Sequence, residues 1–193
     1  MSAKENWEKF LTPGVMHERL VSASLYITAF ELLNESIIGR LRSFYMVGFD
    51  ENGDVIGEKY ETAVLTRNKS PLYASLNWLF ENDVIDENDL QTFEQLKATR
   101  NSLAHELPSL VIGGADFKHV ERFQELVRLL RKIEVWWVIN LEIPVNPDFD
   151  RNEEIDEEGI VPGPILMIQM MLEVISGNEE LLNHYRGDTP LKA

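Results

Sequence analysis

The residues best suited to chemistry lie in one short stretch of the chain, KATRNSLAHE, which covers positions 97–106. An α-helix turns by about 100° per residue, so helical spacing places Lys97, Asn101 and His105 on one polar face. Arg100 borders the apolar face, and its long side chain can lean toward the polar one. The stretch therefore predicts a compact surface with an ammonium, a guanidinium, an amide and an imidazole.

These four groups suit the binding and cleavage of a phosphodiester. A guanidinium is always charged and offers a forked donor that fits two phosphate oxygens. An imidazole titrates near neutral pH, so His105 can take a proton from a ribose 2′-hydroxyl or give one to a leaving oxygen. Asn101 can orient either group or the substrate. Because the 2′-hydroxyl would be the nucleophile, this chemistry predicts no metal and no other cofactor.

The pattern of apolar residues predicts that this stretch lies in the third of four long helices. The helices are predicted from Met16 to about Phe44, from Pro71 to Asn82 after Ser70 as N-cap, from Asp86 to a stop at Pro108, and from Asp116 to about Leu141. Asn52-Gly53 between apolar flanks indicates a short hairpin or ordered loop. We therefore expect an all-α fold, a bundle of four to five helices with a small hairpin or loop insertion.

Each predicted helix has an apolar stripe that would form the core of the bundle. The stripes are Tyr26, Phe30, Leu33, Ile37 and Leu41 in the first helix; Leu72, Leu76, Leu79 and Phe80 in the second; Phe93, Leu96, Leu103 and Leu107 in the third; and Val120, Phe123, Val127, Leu130 and Trp137 in the fourth. A helical domain over residues 16–142 follows from these stripes.

The character of the chain changes from Ile143 onward. Prolines bracket the stretch DFDRNEEIDEE at 148–158, whose seven carboxylates and one Arg indicate an extended acidic connection. A final helix is predicted from Pro164 to Ser176, with Gly177 as its C′ residue. Its apolar residues lie nearly all round, so it should be buried on several sides, in the bundle or against a partner subunit. Residues 143–193 are therefore predicted as a connection and a helix packed on the bundle.

The charge balance limits the possible partners. Thirty-three Asp and Glu face 18 Lys and Arg, giving a net charge of −15 and a pI near 4.6. A protein that coats nucleic acid needs a basic surface, so RNA binding would need cations gathered locally. The candidate substrate contacts are Lys97, Arg40 and Arg42. Further basic residues are Arg67, Lys69, Arg128, Arg131 and Lys132.

Several other classes are excluded or disfavoured. The chain has no Cys, which excludes disulfide scaffolds, zinc ribbons and thiol catalysis. The four His lack zinc spacing, and a calcium-loop-like stretch at 50–61 has Val55 where glycine is required, so no metal site is predicted. Residues 1–15 contain no apolar leader, and no apolar stretch approaches the length of a membrane span. We therefore expect a cytoplasmic protein without membrane contact.

Arg100-Asn101-x-x-x-His105, late in the third helix, resembles the RNxxxH motif of the HEPN superfamily, over roughly residues 16–142. Many HEPN proteins are metal-independent endoribonucleases of toxin–antitoxin or phage-defence systems, and they form homodimers in which both motifs meet in one cleft. The resemblance implies that Arg100 and His105 are catalytic and that Asn101 supports them. It also implies cyclic-phosphate products, a homodimer, and an antitoxin or regulatory protein as partner.

A second stretch, SLYITAFELL at 24–33, is similar to the early helix of mannitol operon repressor-like regulators. Those helical proteins act through protein contacts, which implies a non-catalytic regulator or adaptor in which Arg100 and His105 are structural. The two alternatives predict different surfaces. A ribonuclease needs an exposed, positive cleft around Arg100 and His105, whereas an adaptor should bury them or pair them with carboxylates and expose an apolar patch elsewhere.

Overall fold

The structure is a computed structural model that describes residues 3–51, 53–113, 119–147 and 155–186. It confirms an all-α helical bundle with one small hairpin. The elements are α1 (Ala3–Phe10), α2 (Pro13–Phe44), β1 (Met46–Asp50), β2 (Gly53–Ile56), α3 (Glu58–Ala63), a 3-10 turn (Leu65–Arg67), α4 (Pro71–Glu81), α5 (Glu87–Gly113), α6 (His119–Trp137), a π-helical turn (Val138–Glu142), α7 (Ile143–Val145), α8 (Gly163–Ile175) and α9 (Glu180–Arg186).

Helix α2 is the centre of the bundle and packs against α4, α5 and α6. Its predicted stripe is confirmed, since all five residues from Tyr26 to Leu41 are buried. The Tyr26 hydroxyl donates a hydrogen bond to the carbonyl oxygen of Leu96 at 3.1 Å, and burial raises the pKa of Tyr26 to about 12. Phe30 stacks on Phe93 with ring centroids 5.9 Å apart. These contacts fix α5 against α2.

A cluster of aromatic side chains joins the end of α2 to α4 and α6. Trp78 and Trp137 lie almost parallel with ring centroids 6.0 Å apart, and Phe44 contacts both rings. Trp136 stands edge-on to Trp137 at 5.0 Å and is only partly buried. The large aromatic rings therefore serve mainly to pack three helices together.

One carboxylate, Glu134 of α6, is buried in the contact with α2 and is only 1% exposed. It accepts hydrogen bonds from the Ser36 hydroxyl and from the Arg40 guanidinium, whose Nε lies 3.1 Å from Oε2. Arg40 also donates to Glu142 at 2.7 Å. The hydrogen bonds to Glu134 raise the pKa of Arg40 above its ordinary value. A buried carboxylate requires such partners, because an unpaired one would lose its hydration without compensation.

Several predicted boundaries differ from the structure. Helix α2 begins at Pro13, since proline suits the first helical position, and α1 precedes it without having been predicted. Helix α5 does not stop at Pro108 but continues to Gly113 across a kink at Glu106. Two predicted core residues are exposed because they lie in terminal turns, Phe80 of α4 at 38% and Val120 of α6 at 67%.

Local signals at the hairpin and at the start of α5 agree with the structure, whereas Ser70 precedes α4 without a side-chain capping hydrogen bond. Strands β1 and β2 pair antiparallel, and Gly53 has a φ of +114°, which favours glycine at the turn. At the start of α5 the Asp89 amide donates to the Asp86 carboxylate at 3.0 Å, and the Asp86 amide donates to Asp89 at 2.9 Å. This reciprocal arrangement satisfies two backbone donors at the helix start. Lys132 of α6 pairs with both carboxylates.

The C-terminal part packs on the bundle through a narrow contact. Helix α8 lies against α6 and α2, ends before Gly177 at a φ of +86°, and buries only Ile165 and Ile168. The Arg131 guanidinium donates to the carbonyl oxygen of Glu157 at 2.6 Å, tying the preceding segment to α6. Burial on several sides, which the sequence predicts for α8, is therefore not achieved within one copy of the described chain.

Parts of other predictions fall on residues that the structure leaves undescribed. These are the predicted helix start at Asp116, the turn residue Gly114 and the acidic stretch from 148 to 154. The predicted extended connection includes one helical turn, α7, and irregular backbone from 155 to 162. Among the described residues, no helix is long and apolar enough to cross a membrane.

We expect Glu134→Gln to lower the free energy of unfolding by about 2–3 kcal/mol, because it leaves Arg40 without its buried counter-charge while Arg40 stays partly hydrated. The matched variant Glu142→Gln, at the exposed partner of the same guanidinium, should cost under about 1 kcal/mol. Urea unfolding followed by circular dichroism measures both. Equal losses in the two variants would contradict the central role of the buried pair.

Candidate functional site

The polar face of α5 is arranged as its helical spacing predicts. Phe93, Leu96 and Leu103 are fully buried against the bundle. On the opposite side, Asn101 and His105 are exposed to solvent. The helix therefore presents the amide and the imidazole of the motif at its surface, while its apolar residues hold it in place.

Arg100 is paired with Glu31, a residue of the neighbouring helix α2. The Arg100 Nη2 and Nε atoms lie 2.8 and 3.2 Å from the same oxygen, Glu31 Oε1. The Arg100 side chain is 35% exposed and that of Glu31 is 50% exposed. The contact follows from the packing of Phe30 on Phe93, which brings this part of α2 against α5. Arg100 is thus both ion-paired and open to solvent.

Lys97 is engaged by an aromatic residue of α4. Its ammonium donates to the Tyr73 hydroxyl at 2.7 Å and lies 4.6 Å from the centre of the Tyr73 ring. Both groups are partly buried. This combined hydrogen bond and cation–π contact holds the Lys97 charge toward α4. Any anion bound at the polar face would compete with Tyr73 for this ammonium.

His105 lies next to the kink in α5. Glu106 has a φ of −111° and a ψ of 16°, outside the helical range. Pro108 has no amide hydrogen to donate to the carbonyl of Ala104, and its ring crowds that carbonyl. The kink therefore interrupts the hydrogen bonding one residue from His105.

The predicted substrate contacts on α2 are placed apart from the α5 motif. Arg40 follows Glu31 by nine residues, which is about 14 Å along a helix axis. Its guanidinium is bonded to Glu134 and Glu142 on the α6 side. Arg42 is exposed near the end of α2. The structure thus groups Lys97, Arg100, Asn101 and His105 on α5 but directs Arg40 elsewhere.

The sequence predicts that α8 is buried in the bundle or against a partner subunit, and the structure shows that the bundle leaves an apolar surface of this helix open to solvent. We call this the α8 surface; it consists of Leu166, Met167, Met170, Val174 and Ile175, which are between 44% and 63% exposed. Gly163 and Met171 of the same helix border this surface. The all-round apolar pattern of the helix was the available signal, but it could not say which sides the bundle covers.

The described residues contain no group of three or more His, Asp or Glu that is placed to hold a metal ion. The polar face contains the Arg100 guanidinium paired with a carboxylate and the Lys97 ammonium bonded to a phenol. It also contains an exposed imidazole and an exposed amide, which can donate and accept hydrogen bonds. This arrangement can bind a single anion by displacing Glu31. It is mixed in charge, since Glu94 and Glu106 are exposed on the same helix.

We expect the Arg100–Glu31 pair to contribute under about 1 kcal/mol to stability, because both side chains are partly hydrated. A double-mutant cycle with Arg100→Gln and Glu31→Gln, read by urea unfolding, measures the coupling energy. The surface pair Arg67–Glu81, with Nη2 and Oε2 2.7 Å apart, is the matched control and should give a similar value. A coupling well above that of the control would show that Arg100 is a structural element instead of an available cation.

Comparison of the chain with protein-family models, with curated proteins and with solved structures finds no match. The resemblances to the HEPN superfamily and to mannitol operon repressor-like regulators therefore rest on the residues of the two motifs alone.

Proposed function

We propose that the chain is a non-catalytic helical regulator or adaptor that acts by binding another protein. The observation that carries this proposal is the α8 surface, where five large apolar side chains of one helix are exposed to solvent. Exposed apolar area is unfavourable by about 25 cal/mol per Å². A contiguous patch of this kind is typical of a protein–protein contact site.

The state of the α5 motif supports the same proposal. Its guanidinium is paired with Glu31 and its ammonium is held by Tyr73. Of the candidate cations on α2, Arg40 is bonded to two carboxylates. A ribonucleic acid would have to displace these partners on a protein of net charge −15. The cations that the sequence offers are largely engaged within the chain.

The test is photocrosslinking in the cells that make the protein, with a benzophenone amino acid placed at Met170 on the α8 surface. We expect a discrete adduct with a different protein, since this position would lie inside the contact. The matched probe is placed at Phe49 of the hairpin, which is 73% exposed and should give no such adduct. Adding Val174→Gln to the Met170 probe should weaken the adduct without unfolding the chain.

Adducts of equal yield from Met170 and Phe49 would mean random collision and would contradict the proposal. So would the absence of any adduct at Met170. An adduct only to another copy of the chain would assign the α8 surface to self-association.

A second candidate function is a metal-independent endoribonuclease of the toxin or defence type, with RNA as substrate. It is favoured by one observation, the exposure of Asn101 and His105 beside a guanidinium whose only described partner is an exposed carboxylate. In this role Arg100 binds the scissile phosphate and stabilises its developing charge. His105 exchanges a proton with the 2′-hydroxyl or the leaving oxygen, and Asn101 positions them. A homodimer would bring two such motifs together.

The ribonuclease candidate predicts RNA cleavage in EDTA by the purified chain and its loss in Arg100→Ala/His105→Ala. The matched control, Lys4→Ala/His17→Ala, removes one cation and one imidazole from exposed positions outside α5 and should cleave as the wild type does. Oligomeric state and unfolding must be equal in all three proteins. Absence of cleavage over a wide pH range with several RNAs would favour the regulator, and cleavage by every variant would exclude the α5 motif as its source.

A further inference from the structure

We infer that the partner segment on the α8 surface is an amphipathic helix whose apolar face is flanked by Lys or Arg. The inference rests on the proposed function and names the chemistry of its partner. It combines two independent properties of the C-terminal part, the shape of the exposed apolar face and the charge around it.

The shape of the surface fits a helix. Leu166, Met170 and Val174 are spaced by four residues and form one ridge along α8, with Met167 beside it. Helix α8 has 13 residues and is therefore about 20 Å long. Ridges of this spacing interlock with the i, i+3, i+4, i+7 side chains of a second helix. An extended strand would need open backbone groups at a sheet edge, which a helix does not offer.

The side chains of the surface are adaptable. Met167 and Met170 are exposed, and Met171 borders the α8 surface. Methionine is unbranched and polarizable, so it fits apolar side chains of differing shape. The surface therefore fits an apolar ridge of a partner without requiring one particular side chain.

The charge around the surface selects a basic partner. Between residues 155 and 186 the chain has six Asp or Glu and one Arg. The acidic residues precede α8, interrupt it once and follow it: Asp156, Glu157, Glu158, Glu173, Glu179 and Glu180. All six are exposed. The preceding segment lies beside Arg128, Arg131 and Lys132 of α6, so the acidic rim of the α8 surface is defined as Glu173, Glu179 and Glu180. Basic flanks on a partner would be attracted to this rim, whereas acidic flanks would be repelled.

The same charge argues against a second copy of the chain as the occupant. A symmetric contact places the same patch of each copy against the other. Two acidic rims would then face each other, on molecules that each have a net charge of −15. A basic helix meets no such repulsion.

The test uses the full chain and three synthetic peptides of 18 residues with a fluorescent label. One peptide has a leucine face and a lysine face, the second has the same composition in a non-amphipathic order, and the third has glutamate in place of lysine. The chain variants are Met167→Gln/Met170→Gln/Val174→Gln and, as the matched control, Val47→Gln/Phe49→Gln on the exposed hairpin. Fluorescence anisotropy at several salt concentrations gives the dissociation constants, and analytical ultracentrifugation gives the oligomeric state.

We expect the amphipathic basic peptide to bind the wild type and the hairpin variant alike, and at least tenfold more weakly to the α8 variant. The scrambled and the glutamate peptides should bind at least tenfold more weakly than the basic peptide to the wild type. If the basic peptide bound the α8 variant as tightly as the wild type, its binding would reflect only general attraction to an acidic protein. That result would overturn the inference. Equal binding of the glutamate peptide would also overturn it.

Two further outcomes assign the surface to another occupant and overturn the inference. One is a wild-type dimer that the α8 substitutions dissociate. The other is peptide binding that appears only after removal of residues 187–193, which would mean that the chain covers its own surface. The crosslinking adduct at Met170 tests the proposed function and this inference separately. An adduct with a partner segment that has no basic flanks would support the proposed function and contradict this inference alone.

Discussion

The burial of the apolar stripe of α2 is the constraint on which the rest of the structure depends. Helix α2 has 32 residues, and its unbroken stripe from Tyr26 to Leu41 must be covered; α4, α5 and α6 each pack against this helix. Contacts near Tyr26 and Phe30 set α5, and contacts near Arg40 set α6. The position of the α5 motif is thus a consequence of how α2 is buried. Phe30 stacks on Phe93 of α5, and the next residue, Glu31, therefore lies close enough to pair with Arg100 of the same helix.

The packing of the bundle also decides which cations are available. The charge of Glu134 lies inside the contact between α2 and α6, so stability requires Arg40 to remain there. Arg100 differs, because its carboxylate partner is half exposed and the pair can be exchanged for another anion at low cost. Two arginines that look alike in the sequence therefore have different roles. One is committed to the fold, and the other stands at a surface where binding is physically feasible.

Signals that act within a few residues predicted most of the fold. The stripe of α2, the reciprocal cap of Asp86 and Asp89, the hairpin turn at Gly53 and the end of α8 at Gly177 all follow from local spacing or backbone preference. The pairing of Arg100 with Glu31 spans 69 positions and that of Arg40 with Glu134 spans 94, so only the assembled bundle reveals them. Pro108 shows the limit of a local rule, because α5 continues to Gly113 beyond the kink at Glu106.

Helix α8 shows why an apolar pattern alone does not determine burial. Its 13 residues include a single charge, Glu173, and the pattern therefore demands cover on several sides. Within the chain, Ile165 and Ile168 provide the buried contact, and Arg131 fixes the approach by binding backbone carbonyls before the helix. This anchoring holds α8 in place while leaving Met167, Met170 and Val174 in water. Helix α8 therefore has an apolar face that the described part of the chain does not cover, and this open face is the observation on which the proposed partner contact depends.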